Sequence, residues 1–225
     1  MRIVAIALPV FLCLGVSMAS AAASDPVTDD QKTLYALGVA ISQSLGTFSL
    51  SESELEFVKS GLADGVFSRK PKVDIQTFMP KVQQLQKARA GVMADKEKKA
   101  GEAFLAKAAS EKGATKTASG IVIQVMKEGK GASPKETDTV KVHYHGTLTD
   151  GAVFDSSVQR GEPATFPLAQ VVPCWTEGVQ HIKVGGKSRL ICPSNLAYGD
   201  RGSPPKIKPG ATLVFEVELL DIVKK

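Results

Sequence analysis

Apolar and polar residues alternate from residue 140 to residue 145, which predicts a β-strand with one buried face. Val140, Val142 and Tyr144 lie on the apolar side, and a lysine and two histidines lie on the other. The same period of two recurs in Leu213–Leu219 near the C-terminus. The two patterns predict strands of a sheet that covers a core.

A turn is predicted directly after the first strand, at Asp150 and Gly151. Beyond it, Phe154 and Asp155 return an aromatic ring and a carboxylate towards the face that carries Tyr144. A carboxylate among apolar groups is either satisfied by local hydrogen-bond donors or part of a binding pocket. This motif alone leaves both interpretations open.

Spacings of three and four residues predict two short helices near the N-terminus. The first has an apolar stripe formed by Leu34, Leu37, Gly38, Ile41 and Leu45. The second begins at a capping box made by Ser51 and Glu54. Two short helices of about 40 residues in total cannot bury much surface alone. We therefore expect a partner, most simply a second copy of the same region.

A third helical pattern runs from about residue 73 to residue 112. Pro80 allows either a kink or a later start. The residues from 86 to 102 are mostly charged or small, which favours a helix that bridges two domains. Gly91 and Gly101 either weaken this helix or are neutral surface positions.

The first 23 residues resemble a cleaved secretory signal, with Arg2, an apolar run and a small-residue end. Cleavage after Ala21 and after Ala23 fit equally well. The apolar run is too short for a transmembrane helix, and Leu12 before Cys13 disfavours a lipid anchor. We expect no transmembrane segment and a periplasmic or secreted protein.

The formal charge of the whole chain is +5, and removing the signal leaves 27 basic against 23 acidic residues, or +4. This balance is too mild to indicate a nucleic-acid partner. Lysines between residues 96 and 107 are interspersed with acids, which is typical of a solvated helix face. Weak attraction to acidic membrane surfaces stays open.

Three further motifs follow the Tyr144 and Asp155 region in order. They are VVPCWTEG at residues 171–178, AYG at residues 197–199 and ATLVF at residues 211–215. Together the segments resemble the FKBP-type peptidyl-prolyl cis-trans isomerase domain, from about residue 120 to residue 223. The whole arrangement resembles the branch that contains the macrophage infectivity potentiator and periplasmic FkpA proteins.

The resemblance implies an α+β fold, in which a twisted antiparallel sheet wraps on a short helix near residues 175–182. An all-α dimerisation domain and a long connecting helix would precede it. The expected boundaries are a signal at 1–23, a dimerisation domain at 24–72, a connecting helix at 73–112, a linker at 113–120 and an isomerase domain at 121–225. Dimerisation would use residues 24–85.

The resemblance also implies the site. Trp175 would form the floor of a pocket, and Tyr198 and the backbone N–H of Val172 would donate to substrate carbonyls. Asp155 would polarise the twisted amide and pair with Arg160. The implied walls are Tyr144, Phe154, Val171, Val172, Ile207 and Phe215. Such a site rotates an X–Pro bond and breaks no covalent bond, so no cofactor and no metal are expected.

Cys174 and Cys192 form an even pair once the signal is removed, in a compartment where disulfides persist. We predict a disulfide; the alternative is two buried free thiols. In the resembled fold Cys174 begins the helix across the sheet and Cys192 ends a strand beneath it. Such a bond would contribute about 3 kcal/mol in the chain-entropy description.

The sequence departs from the family pattern at Ala164, Ser203 and Lys206. These positions belong to the rim of the implied pocket, so the residue preferred before proline is not given by the resemblance. A macrolide is a possible ligand of the same pocket. The expected partners are unfolded or proline-containing polypeptides.

Other classes of function remain as alternatives. Cys174 and His181 have the spacing of a shared helix face, which would suit a thiol enzyme, although a disulfide would remove the nucleophile. His143 and His145 would suit a metal site, but the third histidine is His181, and strand alternation leaves the first two facing solvent. A non-catalytic chaperone that binds proline-containing chains is the third alternative.

Overall fold

The computed structural model describes residues 25–223, so the predicted signal peptide lies outside the described residues. The α-helices are α1 Asp29–Ser42, α2 Glu52–Val66, α3 Ile75–Ala109, α4 Ser157–Arg160 and α5 Pro173–Gly178. Short 3-10 helices occupy Gln43–Phe48, Leu168–Gln170, Val179–His181, Ser194–Leu196 and Gly199–Arg201. Among the described helices, none is both long and apolar enough to cross a bilayer.

The strands are β1 Ala114–Lys116, β2 Val122–Lys127, β3 Thr139–Leu148, β4 Val153–Ser156, β5 Ala164–Pro167, β6 Lys187–Cys192 and β7 Leu213–Val223. Within residues 25–223 they form one antiparallel sheet in the order β1-β2-β6-β7-β3-β4. Strand β5 pairs with the first half of β3, and β4 pairs with its second half. The edge of β3 therefore has a break between β4 and β5, and α4 follows β4 there.

The predicted capping box is confirmed at the start of α2, where the Ser51 hydroxyl accepts from Glu54 N and the Glu54 carboxylate accepts from Ser51 N. Arg89 of α3 binds the same carboxylate and donates to Phe48 O at 2.8 Å. The hydrogen bond from Arg89, followed by those from Ser51, lowers the pKa of Glu54 from 4.5 to about 2. A charged network therefore connects α2 with α3.

Helix α3 begins at Ile75, after the N-cap Asp74, whose side chain accepts from Gln76 N at 3.1 Å. Pro80 lies inside the helix. The later start that the sequence left open is therefore wrong. At 35 residues the helix is about 52 Å long.

The apolar face of β3 is buried as the alternation predicted, with Val140 and Val142 fully covered and Tyr144 at 5% exposure. Helix α5 lies on this inner face, and Gly178 approaches Leu190 of β6. The Cys174–Cys192 disulfide joins α5 to the end of β6, with the two Cα atoms 5.7 Å apart. The predicted bond is thus present, and the free-thiol alternative is wrong.

The outer face of the sheet is covered by the end of α3. Leu105 and Ala108 pack with Val122, Ile191 and Val214 in a second apolar cluster. Between that helix and β2, residues 114–116 form strand β1, although their small polar character suggested a linker. The strand forms because the antiparallel edge of β2 supplies hydrogen-bond partners that composition does not reveal.

The middle of α3 also packs against the loop between β6 and β7. Ala94 is 1% exposed, and a Cβ added at Gly210 would lie 2.3 Å from Ala94 O. A Cβ added at Gly101 would lie 2.1 Å from the Thr212 hydroxyl oxygen. The charged appearance of residues 86–102 favoured a solvated bridge. Most of the segment is exposed, as that interpretation expected, but Ala94 and Gly101 are buried against the loop, because small residues let two backbones approach closely.

Candidate active site

An aromatic cavity of about 430 Å³ opens between α5 and the inner face of the sheet. Its lining residues are Tyr144, Phe154, Asp155, Phe166, Gln170, Val171, Val172, Trp175, Tyr198 and Phe215. Five rings come from β3, β4, β5, β7 and α5, and Tyr198 lies in the connection between β6 and β7, so chain segments far apart in sequence build one wall. Most of the cavity can offer only apolar contacts to a ligand.

Trp175 forms the centre of the aromatic cluster. It follows Cys174 in α5, whose first residue is Pro173 and whose N-cap is Val172. The rings of Tyr144, Phe166 and Phe215 stand nearly perpendicular to the indole, with centroids 5.3, 5.7 and 5.3 Å away. Edge-to-face contacts of this kind fix the orientation of each ring. The indole Nε1–H is buried without a hydrogen-bond partner among the described residues.

A three-residue polar network lies at the rim of the cavity. Tyr144 OH and Arg160 Nη1 both donate to the carboxylate of Asp155, and Arg160 Nη2 donates to Tyr144 OH at 2.9 Å. Arg160 ends α4, a single turn capped by the Ser156 hydroxyl, which accepts from Gln159 N. The break between β4 and β5 therefore places the guanidinium beside the acid.

The network sets the charge state of its members. Burial acts to raise the pKa of Asp155, but hydrogen bonds from Tyr144 and Arg160 outweigh it, so the pKa lies below the usual 3.8. Burial raises the pKa of Tyr144, and the hydrogen bond to Asp155 acts in the same direction. At neutral pH the site therefore contains a carboxylate, a neutral phenol and a guanidinium.

A second cavity of about 320 Å³ shares part of its wall with the first. Its lining residues are Phe154, Asp155, Tyr198, Ser203, Pro204, Pro205, Lys206 and Ile207. Lys206 Nζ donates to Phe154 O at 2.9 Å, which connects the β6–β7 loop to β4. Tyr198 is 41% exposed and lines both cavities.

Most residues predicted from the resemblance line one of these two cavities. Ile207 lines the second cavity instead of the aromatic one, and Arg160 reaches the site through Asp155 and Tyr144. The roles of these residues stay predictions. Phe166 and Gln170 were missed; the period of two in β5 is a signal that would have indicated Phe166.

The two alternatives were a thiol enzyme that uses Cys174 and a metal site that uses His143 and His145. Cys174 is bonded to Cys192, so no thiol is available beside His181. His143 Nδ1 lies 3.2 Å from the Ser157 hydroxyl, and His145 Nδ1 lies 3.0 Å from the Ser156 hydroxyl. Both histidines therefore lie within hydrogen-bond distance of buried serines.

The fold and the cavity together define a class of protein with an aromatic cavity beside a charge-paired carboxylate. The chain belongs to the FKBP-type peptidyl-prolyl cis-trans isomerase family. Residues 130–220 match the family described as FKBP-type peptidyl-prolyl cis-trans isomerase, and residues 30–125 match the domain amino terminal to it.

Named relatives agree over most of the chain. The FKBP-type peptidyl-prolyl cis-trans isomerase FkpA of Aeromonas hydrophila is 44% identical over 87% of this chain and 77% of its own. The outer membrane protein MIP of Legionella longbeachae is 31% identical over 95% and 94%. The crystal structure of FkpA from Escherichia coli is 40% identical, covers 87% of this chain and 97% of its own, and has a TM-score of 0.66.

Proposed function

We propose that the protein accelerates X–Pro bond rotation by holding the proline ring in the aromatic cavity and favouring a twisted amide. The observation that carries this function is the cavity built around Trp175, with the ionised Asp155 at its rim. The planar amide resists rotation with a barrier of about 18–20 kcal/mol. Moving the carbonyl out of water disfavours its charge-separated resonance form, which lowers that barrier without a nucleophile.

Each polar group has a distinct task in this mechanism. Tyr198 OH and Val172 N–H donate to substrate carbonyls on either side of the proline. Asp155 acts electrostatically on the twisted amide, and Arg160 and Tyr144 hold its carboxylate in place through the hydrogen bonds described above. Groups fixed in this way need little rearrangement as the amide rotates, which is the source of electrostatic catalysis. The apolar walls of the aromatic cavity, Phe154, Val171, Val172 and Phe215, exclude water, and Ile207 does the same in the second cavity.

The test is isomerisation of a proline-containing tetrapeptide by the mature protein between about pH 5 and pH 9. We expect acceleration with a flat pH profile, because Asp155 stays ionised above its lowered pKa and Tyr144 stays protonated below its raised pKa. A macrolide that occupies the same cavity should inhibit competitively. A bell-shaped profile in this range would indicate proton transfer, and absence of acceleration would favour a non-catalytic proline-binding chaperone.

We infer that the N-terminal region, residues 24–85, forms a homodimer. None of the residues of α1 or α2 is buried, and Leu34 and Leu37 are 67% and 56% exposed. An exposed apolar stripe on a short helix is stable in water only when it is covered. Within this scheme residues 24–72 form the dimerisation domain, 73–112 the connecting helix, 113–120 the connection and 121–225 the isomerase domain.

Sedimentation of a charge variant tests the dimer. Leu37→Glu places a carboxylate on the apolar stripe of α1 and should convert the dimer to monomer at micromolar concentration. Ala36→Glu adds the same charge one residue away and off the stripe, and should leave the dimer intact. A monomeric wild type, or equal behaviour of the two variants, would contradict the proposal.

The second part of the proposed function is a dimeric chaperone for unfolded or proline-containing polypeptides in the periplasm or outside the cell. The expected client sites are the two cavities and the helical cleft between the two N-terminal regions of the dimer, and the Cys174–Cys192 disulfide and the signal-like N-terminus support export. N-terminal sequencing of exported protein should begin after Ala21 or Ala23. An intact Met1 would exclude this route.

A further inference from the structure

The second cavity adjoins the place where the X–Pro amide must lie. It shares Phe154, Asp155 and Tyr198 with the aromatic cavity. In the proposed function, on which this inference rests, the rotating carbonyl faces Asp155 and Tyr198. That carbonyl belongs to the residue before proline, called X here. The side chain of X branches from the Cα bonded to that carbonyl carbon, so we expect it to lie beside the second cavity.

The charge of that cavity is set by two groups. The Asp155 carboxylate is already bound by Arg160 and Tyr144. Lys206 Nζ donates to a neutral group, the Phe154 carbonyl oxygen, at 2.9 Å. Within residues 25–223 Lys206 forms no ion pair with an acid. An ammonium group has three donors, so this hydrogen bond leaves capacity for a ligand oxygen.

Lys208, the next lysine in the loop, differs from Lys206 because it has an acidic partner. Lys208 is two residues further along the same loop and lies 3.7 Å from Glu97 of α3. It does not line the second cavity. The two lysines therefore carry the same charge on one loop, but only Lys206 is positioned to meet the side chain of X.

We propose that Lys206 is a specificity-determining residue that favours an acidic side chain, glutamate or aspartate, immediately before proline. The ammonium attracts the carboxylate of X across the second cavity and repels a basic X. The hydrogen bond to Phe154 O holds Lys206 over the wall that both cavities share. A partly exposed ion pair contributes about 0.2–1 kcal/mol, which corresponds to a preference of up to about fivefold.

The experiment compares kcat/KM for tetrapeptides that differ only at X, with glutamate or its neutral isostere glutamine. The glutamate-to-glutamine ratio should fall by about two- to fivefold in Lys206→Met, and Lys206→Arg should retain it. The ratio is taken within each variant, so a general loss of activity cancels. High salt should reduce the wild-type ratio, since charge attraction at an exposed site is screened.

Lys208→Met is the matched control, because it removes the same charge from the same loop and should keep the wild-type ratio. An unchanged ratio in Lys206→Met would overturn the proposal, as would an equal fall in Lys208→Met, which would indicate general charge attraction. If the wild type accelerated neither peptide, the proposed isomerase function itself would fail. Activity on glutamine with no effect of Lys206→Met would reject only the specificity.

Discussion

Asp155→Ala should lower kcat/KM for X–Pro isomerisation by about 10- to 100-fold with the fold intact. The change removes the carboxylate that the proposed mechanism places beside the rotating amide and leaves Arg160 and Tyr144 without their shared acceptor. Hydrogen bonds to charged groups contribute about 1.5–3 kcal/mol, and about 1.4 kcal/mol corresponds to a factor of ten in rate. The measurement is the catalysed rate at several enzyme concentrations, with circular dichroism as the check on folding.

Two further variants test whether the loss of activity is specific to the Asp155 carboxylate. Tyr144→Phe removes one hydrogen bond to Asp155 and should lower the rate less than Asp155→Ala. Asp150→Ala removes an exposed aspartate from the turn of the same hairpin and should leave the rate unchanged. Suppression of client aggregation should persist in Asp155→Ala, because the pocket acid lies outside the N-terminal helices that would form the cleft of the dimer. Equal losses in Asp155→Ala and Asp150→Ala would refute the assigned role.

The second large effect concerns the isomerase domain in isolation. A fragment of residues 120–225 should be less stable than a fragment of residues 94–225 by about 4 kcal/mol in free energy of unfolding. The shorter fragment lacks Leu105, Ala108 and β1, so it exposes the apolar outer face of β2, β6 and β7. Urea unfolding of both fragments provides the comparison.

Point substitutions in the longer fragment separate the loss of packing from the change in chain length. In the longer fragment, Leu105→Ala should lower the free energy of unfolding by about 3 kcal/mol, since Leu105 is 9% exposed. Ala103→Ser changes an exposed position two residues earlier and should have little effect. Equal unfolding midpoints for the two fragments would show that the end of α3 does not stabilise the sheet.

Periodic spacing of apolar residues predicted much of the fold, because it follows which face of a strand or helix is buried. The alternation in β3, the capping box of α2 and the paired cysteines each have a local sequence signal that the structure reproduces. The aromatic cluster was found through ordered motifs and not through periodicity. Those motifs placed Tyr144, Trp175 and Phe215 together before any geometry was known.

The remaining features depend on contacts between distant segments. Ala94 and Gly101 look neutral in sequence, and only Gly210 and Thr212, more than a hundred residues away, show why small residues stand there. Strand β1 depends on the free edge of β2 in the same way. The hydrogen bond from Lys206 to the Phe154 carbonyl involves a backbone acceptor, which no pattern of side chains can reveal.

The contact between α3 and the β6–β7 loop joins the long helix to the wall of the second cavity. Lys98 Nζ lies 2.5 Å from the Asp200 carboxylate, and Ala94 and Gly101 lie against Gly210 and Thr212, so residues 94–101 are held against that loop. Since the same loop carries Lys206, the position of the helix and the shape of the second cavity depend on each other.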